Sequence, residues 1–380
     1  MKRITQNIAD YIRETDKLLL LFCFAASLFG CALVYSATNY TGSSRQFFVQ
    51  LASVFIGITA AIIVSLFDYR SFSRYTVPIV IISLGLLAFT YFFGYAPSGT
   101  DNRAWIQLPF GMSFQPSELI KVFFTITFSA HVALIDKKDI NNIGHVALLC
   151  LHGIAPAALV MGLQHDLGTS TILLVIFLCM LFAAGIKLRY FALGGAALVV
   201  LVPIIWLYGL SDYQKERFSI ILDLNSDPLG NGYQQLQSLK AIGSGGINGL
   251  GFLNGPKTQS GDVPKAYNDF ILSVAGEELG LIGCLLVFII LLAIILRVLR
   301  VGTLTKDRKG AIICAGIFGM LLSQMLINVG MCVALLPVIG VTLPFFSAGG
   351  TSLVCLYLGI GLVLSVYKNR SKYQTQLRQK

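Results

Sequence analysis

Two charged residues lie close together near the start of an apolar block, where charge is unexpected. Glu118 and Lys121 are three residues apart, which makes them neighbours on a helix, and Thr125 and Ser129 continue the same polar stripe. Ionisable side chains inside a membrane span are costly, and they face the bundle interior or a water-filled cavity. The stripe is therefore either a structural ion pair near the outer interface or a surface that contacts a substrate.

Asp269 opens another apolar block and is the residue best placed for acid–base chemistry. On a helix, Ser273, Gly276 and Gly280 fall within about 40° of its direction, at about 100° per residue, and Glu277 lies on the shoulder of this face. A carboxylate at the mouth of a small-residue face, directly after a glycine-rich segment, could act as a general base. The alternative, which the position alone favours, is that Asp269 caps the helix, a role that aspartate performs well.

Asp166 lies in a short turn between two apolar blocks, in the sequence QHDLGT at residues 164–169. Its carboxylate could cap the helix that follows or point into the same outer cavity as Glu118 and Lys121. Its position alone favours the cap.

Neither cysteine nor histidine spacing indicates a metal site. The eight cysteines all fall inside apolar blocks without a CxxC pair, so we interpret them as small packing residues. The four histidines, at positions 131, 145, 152 and 165, show no metal-ligand spacing. The sequence therefore predicts no His/Cys metal site.

Transmembrane helices must position these residues. Hydrophobic residues make up 56% of the 380-residue chain and charged residues only 12%, too few to cover a water-soluble surface. About 20 apolar residues span a bilayer as a helix, since in lipid the backbone must satisfy its own hydrogen bonds. Ten blocks fit, near 18–38, 47–67, 77–95, 118–135, 145–163, 170–186, 190–209, 270–296, 310–335 and 344–367. We expect an all-α integral membrane protein with one polytopic domain over residues 1–380, and no cleaved signal peptide at its polar start.

One connection, residues 210–268 between the seventh and eighth blocks, is far longer than the others. Long loops in compact proteins are usually functional. Its first part, Asp212 to Asp227, allows a short helix lying at the membrane interface. Its second part combines many glycines with apolar residues, which favours an ordered loop over a flexible linker.

The basic residues predict the orientation of the chain. Most of the 28 lysines and arginines lie at the two termini and in the loops after the second, fourth, sixth and eighth blocks. The short loops on the other side hold only Arg45 and Arg103. The positive-inside rule then puts both termini in the cytoplasm and residues 210–268 outside. The net charge of +10 thus indicates topology and anionic lipid headgroups, and not nucleic-acid binding.

Taken together, the motifs resemble the SEDS family (shape, elongation, division and sporulation) of RodA/FtsW-type bacterial cell-wall proteins. The resemblance runs nearly end to end, with Trp105 upstream of the first motif. In order, the motifs are FQPSELIK at 114–121, DLGT at 166–169, DPLG at 227–230, GSGG at 243–246, DFI at 269–271, EELG at 277–280, NVGM at 328–331 and LPV at 336–338.

This resemblance implies an enzyme. Family members are peptidoglycan glycosyltransferases that polymerise lipid II at the outer face of the cytoplasmic membrane, beside a class B penicillin-binding protein. The essential aspartate of the family maps onto Asp269, which implies a general base. The diphosphate leaving group needs positive charge or a divalent cation to stabilise it. Lys121, Lys240, Lys257 or Lys265 could supply that charge. The residues predicted to bind substrate are Glu118, Lys121, Asp166, Lys240 and Glu277.

The chain departs from the family pattern at three positions. His165 stands where the family usually has proline, Asn268 where it usually has threonine or a similar residue, and Ala348 where it usually has tyrosine. The Ala348 departure puts the packing of its outer loop in question. The segment at residues 251–255 is more similar to the elongation (RodA) branch than to the division (FtsW) branch.

Two other functions fit the same sequence. A flippase or transporter for a lipid-linked precursor would also have many spans and polar residues within them, although transporters often show repeats, and none is evident here. A non-catalytic scaffold for a penicillin-binding protein would tolerate replacement of Asp269.

Overall fold

The structure, a computed structural model, describes residues 14–96, 102–107, 113–210, 215, 218–220, 224 and 231–378. Among these residues, ten helices are long and apolar enough to cross a membrane. Each predicted block overlaps one of them, which confirms the all-α polytopic fold.

The connections between consecutive spans are short except for those after the third, seventh and ninth spans. In chain order they are α1 (Lys17–Asn39), α2 (Arg45–Leu66), a 3-10 turn (Tyr69–Tyr75) leading into α3 (Thr76–Phe93), α4 (Pro116–Leu134), α5 (Ile143–Gln164), α6 (Leu167–Ala184), α7 (Leu188–Ile204, extended by a π turn to Gly209), α8 (Asn231–Ser244), α9 (Pro256–Ser260), α10 (Ile271–Leu304), α11 (Arg308–Cys332) and α12 (Gly350–Arg378). Strands β1 (Ile106–Gln107) and β2 (Ser113–Phe114) form a small antiparallel hairpin before α4. Helices α8 and α9 are not spans.

The tenth span begins later than its apolar block predicts. Residues before Gly350 form a turn instead, in which the Leu343 N–H donates to the Ser347 Oγ at 2.8 Å. The Leu343 carbonyl also accepts from the Phe346 and Ser347 N–H groups, so residues 343–347 close a turn of their own. Hydrophobicity alone did not reveal this turn.

Helices α4, α11 and α12 form the centre of the bundle, because 72% of the residues in the apolar stretch of each are buried. In α7, by contrast, none of the residues in the apolar stretch is buried. Small residues allow close helix packing in the absence of a hydrophobic driving force between helices. A Cβ on Gly316 of α11 would lie 2.7 Å from the Thr125 side chain of α4. A Cβ on Gly361 of α12 would lie 2.8 Å from the Ala61 carbonyl of α2.

The long connection is only partly described. The predicted interfacial helix between Asp212 and Asp227 lies largely outside the described residues. The part from residue 231 onward contains α8 and α9, and α8 packs against α10 and α11. That residues 210–268 form one loop outside the membrane, and that both termini face the cytoplasm, remain predictions.

A cluster of polar bonds closes the end of the bundle that is predicted to face the cytoplasm. Asp307 caps α11 by accepting from the Gly310 N–H at 3.0 Å, and it also accepts from the Tyr69 hydroxyl at 2.6 Å and pairs with Arg70. The neighbouring Arg308 donates to the carbonyls of Ile135 and Ala184, which end α4 and α6. Two consecutive side chains therefore join several spans.

We expect Asp307→Ala to lower the free energy of unfolding by about 1–3 kcal/mol, because it removes a helix cap and one acceptor of Tyr69 and Arg70. The measurement is the thermal unfolding of the purified protein in detergent. Asp139→Ala, which replaces an exposed aspartate at the same end of the bundle, is the control. Equal melting temperatures for the two variants would show that the bonds of Asp307 to α11, Tyr69 and Arg70 do not stabilise the fold.

Candidate active site

The backbone around Asp269 is held by three hydrogen bonds from distant parts of the chain. The Tyr267 carbonyl accepts from the Ala348 N–H at 2.8 Å, and the Asn268 carbonyl accepts from the Ser347 Oγ at 2.6 Å. The Asp269 carbonyl accepts from the Asn328 Nδ2 at 2.7 Å. Three consecutive carbonyls thus have hydrogen-bond partners on α11 and on the turn before α12. These bonds fix the position of the backbone that carries the Asp269 side chain.

The Asp269 side chain lies at the start of the eighth span, at the end of the bundle that is predicted to face outside. Helix α10 begins at Ile271 with Phe270 at its N-cap, so Asp269 precedes the cap position by one residue. Asp269 is 9% exposed, and a Cβ on Gly340 would lie 3.9 Å from its Oδ2. Burial raises the pKa of the neighbouring Tyr267 phenol, and the charges of Tyr40 and Asp269 raise it further. The carboxylate therefore sits between the start of α10 and the loop after α11.

Glu118 and Lys121 form an ion pair inside the bundle. The Lys121 Nζ donates to the Glu118 Oε1 at 2.7 Å, and the two residues are 0% and 7% exposed respectively. Pro116 lies at the first helical position of α4, so this pair occupies the first turns of the span. Within so apolar a bundle each charge needs the other. Of the two alternatives that the spacing allowed, the ion pair is present, and a role in substrate binding remains a proposal.

Asp166 caps α6, as its position in the turn favours. Its Oδ1 accepts from the Thr169 N–H at 2.9 Å, and its Oδ2 accepts from the Thr169 hydroxyl and from the Gln115 Nε2, each at 2.8 Å. Burial raises the pKa of the Asp166 carboxyl, while the bonds from Thr169 oppose that shift. The charges of Glu118 and Lys121 also act on Asp166. The structure therefore brings these three residues into one buried polar group.

Residues 339–341 link this buried polar group to Asp269. A Cβ on Gly168, two residues after Asp166, would lie 2.6 Å from the Ile339 carbonyl. Gly340 has a φ of 71° and lies beside the Asp269 carboxylate, and the Val341 carbonyl accepts from Asn328. The turn that carries Asp166 and the segment that carries Asp269 thus pack against the same short stretch of chain.

Glu277 contacts the long connection rather than an open cavity. Its Oε1 accepts from the Lys257 N–H at 2.9 Å, and its Oε2 accepts from the Thr258 N–H at 2.8 Å and hydroxyl at 2.6 Å. The carboxylate therefore satisfies the first N–H groups of α9. Glu277 is fully buried, and its place in this structure is that of an anchor for α9.

Glu278 holds the other side of the same short helix, which the sequence did not single out. It accepts from the Ser36 hydroxyl of α1 at 2.6 Å and from the Gln259 Nε2 at 3.0 Å. Glu277 and Glu278 point in different directions because they are adjacent on a helix, yet both bind residues of α9. The sequence feature that could have indicated this role is the pair of consecutive glutamates within an apolar block.

The face predicted from Ser273, Gly276 and Gly280 exists, and it is covered by protein. The Ser273 Oγ lies 2.6 Å from the Ser238 Oγ of α8, and a Cβ on Gly276 would lie 3.0 Å from Ile242. The small residues therefore make room for α8, which lies directly on this face of the eighth span.

The four candidate cations have different surroundings. Lys121 is paired with Glu118, and the Lys257 Nζ donates to the Gln237 Oε1 at 2.9 Å. Lys240 and Lys265 are exposed. No group of three or more His, Cys, Asp or Glu side chains among the described residues could hold a metal ion.

The structure explains the three departures from the family pattern. His165 ends α5 with a φ of 54°, a left-handed conformation that proline, fixed near −65°, cannot adopt. Ala348 and Asn268 contribute their backbone N–H and carbonyl, respectively, to the bonds around Asp269, so their side chains are not what makes these bonds.

We expect Lys121→Met to destabilise the fold by about 3–5 kcal/mol, because it leaves the buried Glu118 without its cation. The double variant Glu118→Gln/Lys121→Met should recover much of this loss, since it leaves no unpaired charge. Melting temperatures of both variants and of Glu118→Gln alone measure the coupling. A double variant no more stable than Lys121→Met would contradict the ion-pair interpretation.

Comparison with known proteins agrees with these motifs. A family model described as a cell cycle protein, of the FtsW/RodA/SpoVE type, matches residues 16–372. A Geobacter metallireducens protein named probable peptidoglycan glycosyltransferase FtsW is 34% identical over 366 residues, which cover 93% of this chain and 95% of that protein. An Escherichia coli K12 protein named peptidoglycan glycosyltransferase MrdB is 30% identical over 356 residues, which cover 93% and 94%.

Solved structures share the fold. A chain from a structure described as "Structural coordination of polymerization and crosslinking by a peptidoglycan synthase complex" superposes with a TM-score of 0.80 at 28% identity, covering 94% of this chain and 98% of that one. The crystal structure of the Thermus thermophilus rod shape determining protein RodA superposes with a TM-score of 0.68 at 25% identity, covering 94% and 97%. Sequence and structure thus confirm the resemblance over nearly the whole chain, and the protein belongs to the FtsW/RodA/SpoVE family of cell cycle proteins.

Proposed function

We propose that this protein is a peptidoglycan glycosyltransferase that polymerises lipid II at the outer face of the cytoplasmic membrane during cell elongation. The observation that carries the proposal is the Asp269 carboxylate, held in place by three backbone bonds within a chain related throughout to named peptidoglycan glycosyltransferases. The segment at residues 251–255 and the likeness to RodA favour elongation, although named relatives include both FtsW and MrdB.

Asp269 acts as the general base of this reaction. The 4-hydroxyl oxygen of one disaccharide forms a bond to the anomeric carbon of another, and the bond from that carbon to undecaprenyl diphosphate breaks. The hydroxyl proton passes to the Asp269 carboxylate, which makes the oxygen a better nucleophile. The electron pair of the broken bond leaves with the diphosphate.

Positive charge must stabilise the departing diphosphate. The exposed Lys240 and Lys265 can reach an anionic group in the polar region outside the membrane, whereas Lys121 acts through its pair with Glu118.

A class B penicillin-binding protein is the partner that this function implies. The structural likeness to a chain of a peptidoglycan synthase complex supports such an assembly. The distribution of basic residues supports an orientation with both termini in the cytoplasm, which places Asp269 on the outer side, where its substrate is presented.

One observation favours a second function, transport of a lipid-linked precursor. Helix α10 is interrupted at Gly280, and discontinuous helices are typical of transporters. Glycan chains formed by purified protein in detergent, without a sealed vesicle, would be a product that transport alone does not make.

We expect Asp269→Ala, purified with its penicillin-binding partner, to polymerise lipid II about 10²–10⁴-fold more slowly than the unmodified protein, because the general base is lost. Gel analysis of the glycan chains measures the rate. Asp262→Ala, an exposed aspartate in the same connection, is the matched control and should remain active.

The alternatives give different results in this assay. Polymer from a folded Asp269→Ala variant at the unmodified rate would refute the general-base role. Absence of polymer from the unmodified complex would leave transport or a scaffold as the function.

A further inference from the structure

The eighth span is a broken helix. Gly280 interrupts α10 with a φ of 68° and a ψ of −160°, a conformation essentially restricted to glycine. The break separates a short outer half, residues 271–279, which follows Asp269, from the long inner half, residues 281–304. The outer half-helix therefore does not take its position from the rest of the span.

The chain at residues 245–251, which we call the wedge, fills the break. The Leu250 N–H donates to the Glu277 carbonyl at 3.0 Å, and the Gly251 N–H donates to the Glu278 carbonyl at 2.9 Å. On the other side, the Leu281 N–H donates to the Gly246 carbonyl at 2.9 Å, and the Ile282 N–H donates to the Ile247 carbonyl at 3.3 Å.

These four bonds replace two bonds of a continuous helix. In an unbroken α-helix the Leu281 N–H would donate to the Glu277 carbonyl, and the Ile282 N–H to the Glu278 carbonyl. The wedge instead provides a partner for each of these four groups. Since unsatisfied backbone groups are costly at membrane depth, the break persists only while the wedge is in place.

Glycine is required on both sides of this contact. A Cβ on Gly280 would lie 2.3 Å from the Gly249 nitrogen, and a Cβ on Gly249 would lie 2.2 Å from the Glu278 carbonyl oxygen. A Cβ on Gly245 would lie 1.9 Å from the Gly276 carbonyl oxygen. All three distances are shorter than real Cβ contacts, so the backbones approach as closely as they do only because the side chains are absent.

The side chains at the break hold the same connection. Glu277 binds the first N–H groups of α9 and Glu278 binds Gln259, while the carbonyls of both residues bind the wedge. The last turn of the outer half-helix is therefore attached to residues 245–259 through both its backbone and its side chains.

We propose that the wedge is a positioning element that keeps α10 broken at Gly280 and so sets the position of the half-helix that presents Asp269. The proposal rests on the proposed function, because it assigns Asp269 the catalytic role. Release of the wedge would let α10 close into a continuous helix, which would rotate and shift residues 271–279 relative to the bonds that hold residues 267–269. Misplacement of a catalytic group by about 1 Å can lower a rate about 10²-fold.

Two substitutions test the contact from opposite sides. Gly280→Ala on the span and Gly249→Ala on the wedge should each lower kcat for lipid II polymerisation about 10²-fold while KM changes much less, because Asp269 moves but distant substrate contacts remain. Gly42→Ala is the matched control, since Gly42 also has a positive φ, 65°, but a Cβ there would meet nothing within 4 Å. The control should keep the kcat of the unmodified protein.

Residue-resolved hydrogen exchange tests the bond replacement without any activity measurement. In the unmodified protein the amides of Leu250, Gly251, Leu281 and Ile282 should all be protected. In Gly280→Ala, Leu250 and Gly251 should lose protection, whereas Leu281 and Ile282 should keep it through new bonds within the helix. A merely destabilised span would lose protection at all four amides, which would contradict the proposal.

Two further results would overturn it. Unprotected Leu250 and Gly251 amides in the unmodified protein would show that the wedge is not bound, even if both variants fail to fold. A folded Gly280→Ala variant with an unchanged kcat would show that the break does not position Asp269. If Asp269→Ala itself stays active, the general-base role fails, while hydrogen exchange still decides whether the wedge keeps the helix broken.

Discussion

Every backbone N–H and carbonyl inside the membrane must find a partner within the protein, and this requirement organises the end of the bundle that carries Asp269. Where helices are continuous, the requirement is met locally. At residues 267–269 and at Gly280 it is not, and distant segments supply the partners. The Asp269 segment is held by Asn328, Ser347 and Ala348, and the break in α10 is filled by the wedge. The irregular backbone that carries the proposed chemistry is therefore held by bonds from several distant segments.

The buried carboxylates also find their partners within the protein, in this case through their side chains. Glu118 is balanced by Lys121, Asp166 caps α6, and Glu277 and Glu278 bind α9. Each of the four has structural partners, so substitution of any one would disturb the fold as well as any substrate contact. Asp269 is set apart by the family resemblance, which maps the essential aspartate onto it, so it is our proposed general base.

Two of the departures from the family pattern occur at residues that take part in the site through their backbone, where a change of side chain leaves the hydrogen bond in place. Ala348 reaches Tyr267 through its N–H, and Asn268 is held through its carbonyl, so the identity of either side chain is secondary. His165 illustrates the opposite case, because its positive φ excludes the proline that the family usually has there.

The sequence by itself determined the ten spans and the family, because these depend on hydrophobicity and ordered motifs. It placed Glu118 beside Lys121 and favoured a cap at Asp166, but the structure decided that the first two form an ion pair and that the third caps α6. Only the tertiary structure decided that Glu277 and Glu278 bind α9, that α8 covers the Ser273 face and that Gly280 breaks its helix. Glycine in an apolar block is compatible with an intact helix. Its left-handed conformation becomes favourable only when residues about 30 positions earlier in the chain supply hydrogen bonds, which no local pattern records.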